Sequence, residues 1–163
     1  MSLQDFNTLP DDELRARLTA CLDVARWVDE VAGGRPYASA EELEQVATAS
    51  ANAMTDDELE AALARHPRIG ERAGAGHDVA HSTREQSGVD RSDAAVAQRL
   101  ADGNRAYEGR FGRVFIIRAA GRNAHEILTE LERRLGNGDV DERLETIHQL
   151  REIAVLRLRQ LVA

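Results

Sequence analysis

The sequence contains no lysine. All 21 of its strongly basic residues are arginine, set against 29 acidic residues, for a net charge of −8 over 163 positions. Without lysine there is no P-loop lysine, no Schiff base to a carbonyl substrate and no covalent pyridoxal phosphate anchor. The acidic balance argues against nucleic-acid partners and anionic membranes, since both need a basic surface. Cysteine is nearly as scarce. Cys21 stands alone, so no intramolecular disulfide forms, and its helical surroundings mark it as a small buried hydrophobe. No apolar run approaches the ~18 residues of a membrane span, and the acidic N-terminus does not read as a signal peptide. A cytoplasmic globular protein is expected. Aromatic residues make up 4% of the chain, so the core must come from Leu, Val, Ile and Ala, which suits helices. The length is that of one domain, over residues 1–163.

What is present is helical periodicity. After Pro10, read as a first helical residue, Leu14, Leu18, Cys21, Leu22 and Ala25 recur at three- and four-residue steps until Gly33-Gly34. Ser39 with Glu42 and Thr55 with Glu58 form capping boxes for two further helices, the second ended by Pro67. From Arg68 to Val89 the pattern fails, save for one short helical turn near Ser82–Gln86. It returns with Val96, Leu100, Tyr107 and Phe111, closed by Gly112. Val114-Phe115-Ile116-Ile117 is the one β-like run. A lone strand makes no sheet, so residues 113–119 read as an extended buried connector. Asn123 with Glu126 opens another helix, carrying Ile127, Leu131 and Leu135. The last begins near Asp141, with Leu144, Ile147, Ala154, Leu158 and Leu161 as its apolar positions. The expected fold class is all-α, a single compact domain of six to eight helices.

Function on a helical scaffold tends to sit in loops that break the pattern. His66, fixed by Pro67, has the ionisation range for proton transfer, although a histidine at a helix C-terminus also interacts favourably with the helix dipole. Ser82-x-x-Glu85 has the form of a capping box, yet Ser87-Gly88 soon cuts off the helix it would cap. Ser82, Glu85 and Gln86 could instead bind a ligand rich in amide and carboxylate edges. His77 and His81, with Asp78 between them, have a spacing that zinc ligands use, but no third ligand completes the set. They support an alternative reading, a metal-assisted hydrolase. His125 and His148 read as surface residues. The backbone of Phe115, Ile116, Ile117, Arg118 and Ala119 carries amides that no helix satisfies, and a planar amide-rich ligand could take them. Arg157 reads as a solvated charge or as a carboxylate clamp.

In combination these elements resemble the 2-oxo-4-hydroxy-4-carboxy-5-ureidoimidazoline (OHCU) decarboxylase family. The resemblance runs through Phe6-Asn7-Thr8-Leu9, Trp27-Val28, Arg35-Pro36-Tyr37 and His66-Pro67-Arg68-Ile69-Gly70-Glu71. It continues through Ser82-x-x-Glu85-Gln86, Asn104-x-x-Tyr107, Phe111-Gly112-x-x-Phe115-Ile116, Gly121-Arg122, Ile153 and Leu156-Arg157-Leu158. It implies an all-α fold, no cofactor, commonly a homodimer, and a ureidoimidazoline as the small-molecule substrate. It further implies His66 as the catalytic acid, with Glu85 either orienting it or holding the substrate hydroxyl. Pro67, Ser82, Gln86, the 115–119 backbone and Arg157 would contact substrate. His77 and His81 match nothing in the family pattern. The remaining alternative is a helical scaffold that keeps the pattern without turnover.

Overall fold

The structure, a computed structural model, describes residues 1–70 and 94–163. Among them are eight helices and no strands: α1 (Leu3–Thr8), α2 (Asp11–Cys21), α3 (Ala25–Gly33), α4 (Ala40–Asn52), α5 (Asp56–Leu63), α6 (Ala94–Phe111), α7 (Ala124–Leu135) and α8 (Asp139–Leu161). The all-α expectation is met. None of the described helices is long and apolar enough to cross a membrane. The chain packs as two compact units, residues 1–62 with 150–163, and residues 63–149.

In the first unit, Phe6, Leu14, Leu18, Trp27, Val31, Leu43, Ala47 and Leu158 are buried together with Cys21. The Trp27 indole donates to the Ala47 carbonyl at 2.9 Å, so the largest core side chain leaves no orphan donor. The run expected as one helix from Pro10 is two. Pro10 lies just outside α2, and Leu22 and Val24 take extended backbone between α2 and α3. The reason is burial. Residues two apart lie about 200° apart around a helix, but on one side of an extended chain, and both Leu22 and Val24 are buried. The cap expected at Ser39 forms, with its hydroxyl accepting from Glu42 N–H at 3.2 Å. Thr55 and Glu58 form the full reciprocal pair, at 2.9 and 3.2 Å.

In the second unit, α6, α7 and residues 113–119 enclose a core that includes Ile69, Leu100, Tyr107, Phe115, Ile117, Ala119, Ile127 and Leu131. Asn123 and Glu126 cap α7 reciprocally. Residues 114–119 have neither helical nor strand pairing, and Phe115, Ile116, Ile117 and Ala119 are buried, as the connector reading anticipates. Glycine brackets this segment: Gly112 has φ +70° and Gly121 φ +78°, both in the left-handed region that disfavours a Cβ. One expectation fails. Leu144 on α8 is exposed, while Glu142 and Thr146 are buried. Turning α8 to bury Leu144 would strip a buried arginine, Arg134, of its partners (below).

Candidate active site

The sequence-predicted residues divide among the two units and the undescribed stretch. Ser82, Glu85 and Gln86, with His77, Asp78 and His81, lie outside the described residues. Arg157 belongs to the first unit, where it is 3% exposed and donates to the Ala20 carbonyl at 3.2 Å. It is therefore no solvated charge. His66, Pro67 and the 115–119 backbone belong to the second unit. His125 and His148 are exposed, as expected. Among the described residues, no three His, Cys, Asp or Glu side chains are grouped to hold a metal ion.

His66 follows the last turn of α5, its N–H donating to the Leu63 carbonyl at 3.0 Å. The turn after it is pinned twice to α6. Arg68 makes a two-pronged ion pair with Glu108, at 2.5 and 3.0 Å. Ile69 enters the core, and its carbonyl accepts from Asn104 Nδ2 at 3.3 Å. Asn104 is 4% exposed, and its Oδ1 has no partner among the described residues. His66 and Pro67 themselves are half-buried. The histidine thus sits on a short tether with a helix before it and two side-chain anchors behind it.

The connector is held by a buried polar cluster that the sequence reading did not single out. Arg134 on α7 and Glu142 on α8 are 1% and 0% exposed and pair at 2.5 Å. Arg134 Nη1 donates to the Ile116 carbonyl at 2.8 Å, and its guanidinium lies 4.6 Å from the Phe115 ring centroid. Tyr107 donates to the same Glu142 oxygen at 2.5 Å, and Asn137 Nδ2 donates to the other at 2.9 Å. Burial, followed by the carboxylate beside it, pushes the Tyr107 phenol up to about 12. On the same face of α8, Gln149 Oε1 accepts from Arg118 N–H at 2.9 Å. A signal was present in the sequence. Arg134 continues the stripe Ile127–Leu131 at four- and three-residue steps, and a charge on an apolar stripe needs a buried counterion.

Two connector residues, Phe115 at 1% exposure and Ile117 at 3%, have both backbone groups unpaired among the described residues, and Ile117 is the one whose flanking peptides are both held. Buried peptide groups are nearly always satisfied, so this edge suits a ligand with its own donor and acceptor.

The described residues thus define an all-helical protein in which the turn after His66 and the connector contribute Ile69 and Ile117 to one core. The particular family follows from comparison. The OHCU decarboxylase family model matches residues 7–159. A 2-oxo-4-hydroxy-4-carboxy-5-ureidoimidazoline decarboxylase from Amia calva is 32% identical over 132 residues, covering 79% of this chain and 75% of that protein. A putative enzyme of the same name from Homo sapiens is 31% identical, covering 78% and 76%. A uric acid degradation bifunctional protein from Bacillus sp. (strain TB-90) is 24% identical across 99% of this chain, which spans 32% of that longer protein. The crystal structure of an OHCU decarboxylase in the presence of (S)-allantoin superposes with a TM-score of 0.74 at 23% identity, covering 94% of this chain and 98% of that one. The chain belongs to the OHCU decarboxylase family.

Proposed function

We propose that this chain is a carboxy-lyase that converts OHCU to (S)-allantoin in urate degradation, with no cofactor and with His66 delivering the proton that sets the stereocentre. The observation that carries this reading is the family match over residues 7–159, which contains His66, Pro67, Ser82, Glu85, Gln86, the connector and Arg157. It is also the basis for treating residues 1–163 as one OHCU decarboxylase-like helical domain.

The chemistry explains why so few groups are needed. The substrate carries a carboxylate and a hydroxyl on one ring carbon, next to a C=N carbon bearing the ureido group. When the carboxyl bond breaks, CO2 leaves and its electron pair forms a bond between these two carbons. The C=N pair moves to the ring nitrogen, which takes a proton. The resulting enol loses its hydroxyl proton as the carbonyl forms, and the ureido-bearing carbon takes a proton on one face. The substrate is its own electron sink, so no lysine or pyridoxal group is required. The protein orients, stabilises and protonates. Half-buried His66, tethered on both sides, suits the last of these roles. Pro67, Ser82, Gln86 and the 115–119 backbone contact the substrate in this reading, and Arg157 takes its carboxylate. Glu85 orients His66 or holds the hydroxyl. We place the enzyme in the cytoplasm as a homodimer.

Purified protein should consume freshly generated OHCU faster than its spontaneous decay, leave a circular-dichroism signal of one allantoin enantiomer, and keep its activity in EDTA. A racemic product at the uncatalysed rate would refute the assignment. His66→Ala should lose nearly all turnover with unchanged far-ultraviolet dichroism. Retention of parental kcat would remove His66 from the mechanism. Sedimentation should show a dimer.

A further inference from the structure

We infer that Arg134 and Gln149 are positioning residues, holding the connector so that the N–H and C=O of Ile117 face away from α7 and α8 as a donor–acceptor pair for the ligand's amide edge. This rests on the proposed role of the 115–119 backbone in substrate contact. In a planar trans peptide the C=O and the following N–H point in opposite directions, and the only cis bond among the described residues is Arg35–Pro36. Arg134 holds the Ile116 carbonyl, so the Ile117 N–H is directed away from Arg134. Gln149 holds the Arg118 N–H, so the Ile117 carbonyl is directed away from Gln149. The two anchors grip the peptides on either side of one residue and leave that residue's own pair open.

Arg134 is suited to this because its guanidinium is a rigid fork. Nε and Nη2 both donate to Glu142 Oε1, at 2.9 and 2.5 Å, which sets the plane of the group. Nη2 also lies 3.4 Å from the Thr146 hydroxyl. With the plane set, the direction of Nη1 is set, and with it the Ile116 carbonyl. Stability alone gives no reason for such a pair, since apolar residues of similar volume often replace a buried ion pair at no cost. Apolar residues would, however, leave the Ile116 carbonyl without a donor and the connector free to rotate.

The test separates anchoring from folding. In Arg134→Met/Glu142→Leu both charges go together, and in Gln149→Met the acceptor goes while Gln149→Glu keeps one. Arg134→Met/Glu142→Leu and Gln149→Met should remain folded, raise KM for OHCU and Kd for (S)-allantoin roughly tenfold, the effect of one lost hydrogen bond, and change kcat little. Gln149→Glu should stay near the parental KM. A third protein carries a backbone ester in place of the Ile117 amide, which deletes its N–H. If the ester leaves KM and Kd unchanged, this edge does not touch substrate and the underlying site reading is wrong. If the ester weakens binding while folded Gln149→Met binds like the parent, the site reading stands and the positioning inference is overturned. Gln149→Met decides the matter even if the double variant fails to fold.

Discussion

Arg134 and Glu142 meet at 2.5 Å with almost no solvent contact, and Glu142 also receives Tyr107 and Asn137. Such a pair resists being half-removed. Arg134→Ala strands a buried carboxylate and should cost about 3–5 kcal/mol, lowering Tm by on the order of 10 °C. Arg134→Met/Glu142→Leu should lose far less. Denaturant titration of both variants checks the contrast.

Tyr107 extends the cluster to α6. Tyr107→Phe keeps the ring packed 5.2 Å from the Phe115 centroid but removes a donor to the buried carboxylate, for a loss of about 2 kcal/mol at neutral pH. The parent should also show an alkaline signature. The phenol is raised to about 12 in the folded state, against about 10 when unfolded, so the neutral form is favoured by folding. Its contribution is complete below about pH 10 and is lost as pH rises toward 12, up to about 2 kcal/mol. Tyr37, the other tyrosine, is also raised by burial. Tyrosinate absorbance in the folded protein should therefore stay low near pH 10 and rise only at higher pH.

At the acid end, hydrogen bonds from Arg133, helped by Asn137, hold Glu145 down to about 2. A depressed carboxyl contributes stability above its unfolded value of about 4.3, and that stability is lost as pH falls toward 2. Both side chains are partly exposed, so solvent screening reduces the effect to about 1 kcal/mol. Glu145→Gln should be less stable by about that amount at pH 7. Its stability, measured in urea, should fall less steeply between pH 4 and 2 than the parent's.

Gly112 and Gly121 bound the connector with positive φ. Among the described residues, a Cβ at either position meets no neighbouring atom, so the penalty of substitution is conformational. Gly112→Ala and Gly121→Ala should each cost about 1–2 kcal/mol, readable as a Tm decrease of a few degrees. Gly109→Ala, inside α6 with open space around it, should be neutral or stabilising by up to about 1 kcal/mol, and serves as the control.

Local chemistry alone decided much of this protein. Periodicity and capping pairs placed the helices, because a Thr55–Glu58 or Asn123–Glu126 pair satisfies orphan amides wherever the chain folds. The one β-like run, with no partner strand in the sequence, had to become a connector. The His66-Pro67 break was visible for the same local reason. Other features depended on contacts made far along the chain. The split between α2 and α3 follows from burying both Leu22 and Val24, which periodicity scores as one continuing helix. Leu144 reads as a core residue until Arg134, eight residues before Glu142 and on another helix, claims that face of α8. Which connector amides are held and which stay open depends on Arg134 and Gln149, 18 and 31 residues from the atoms they hold. Sequence determines the need to satisfy a backbone group, whereas only the tertiary structure supplies the partner that does so.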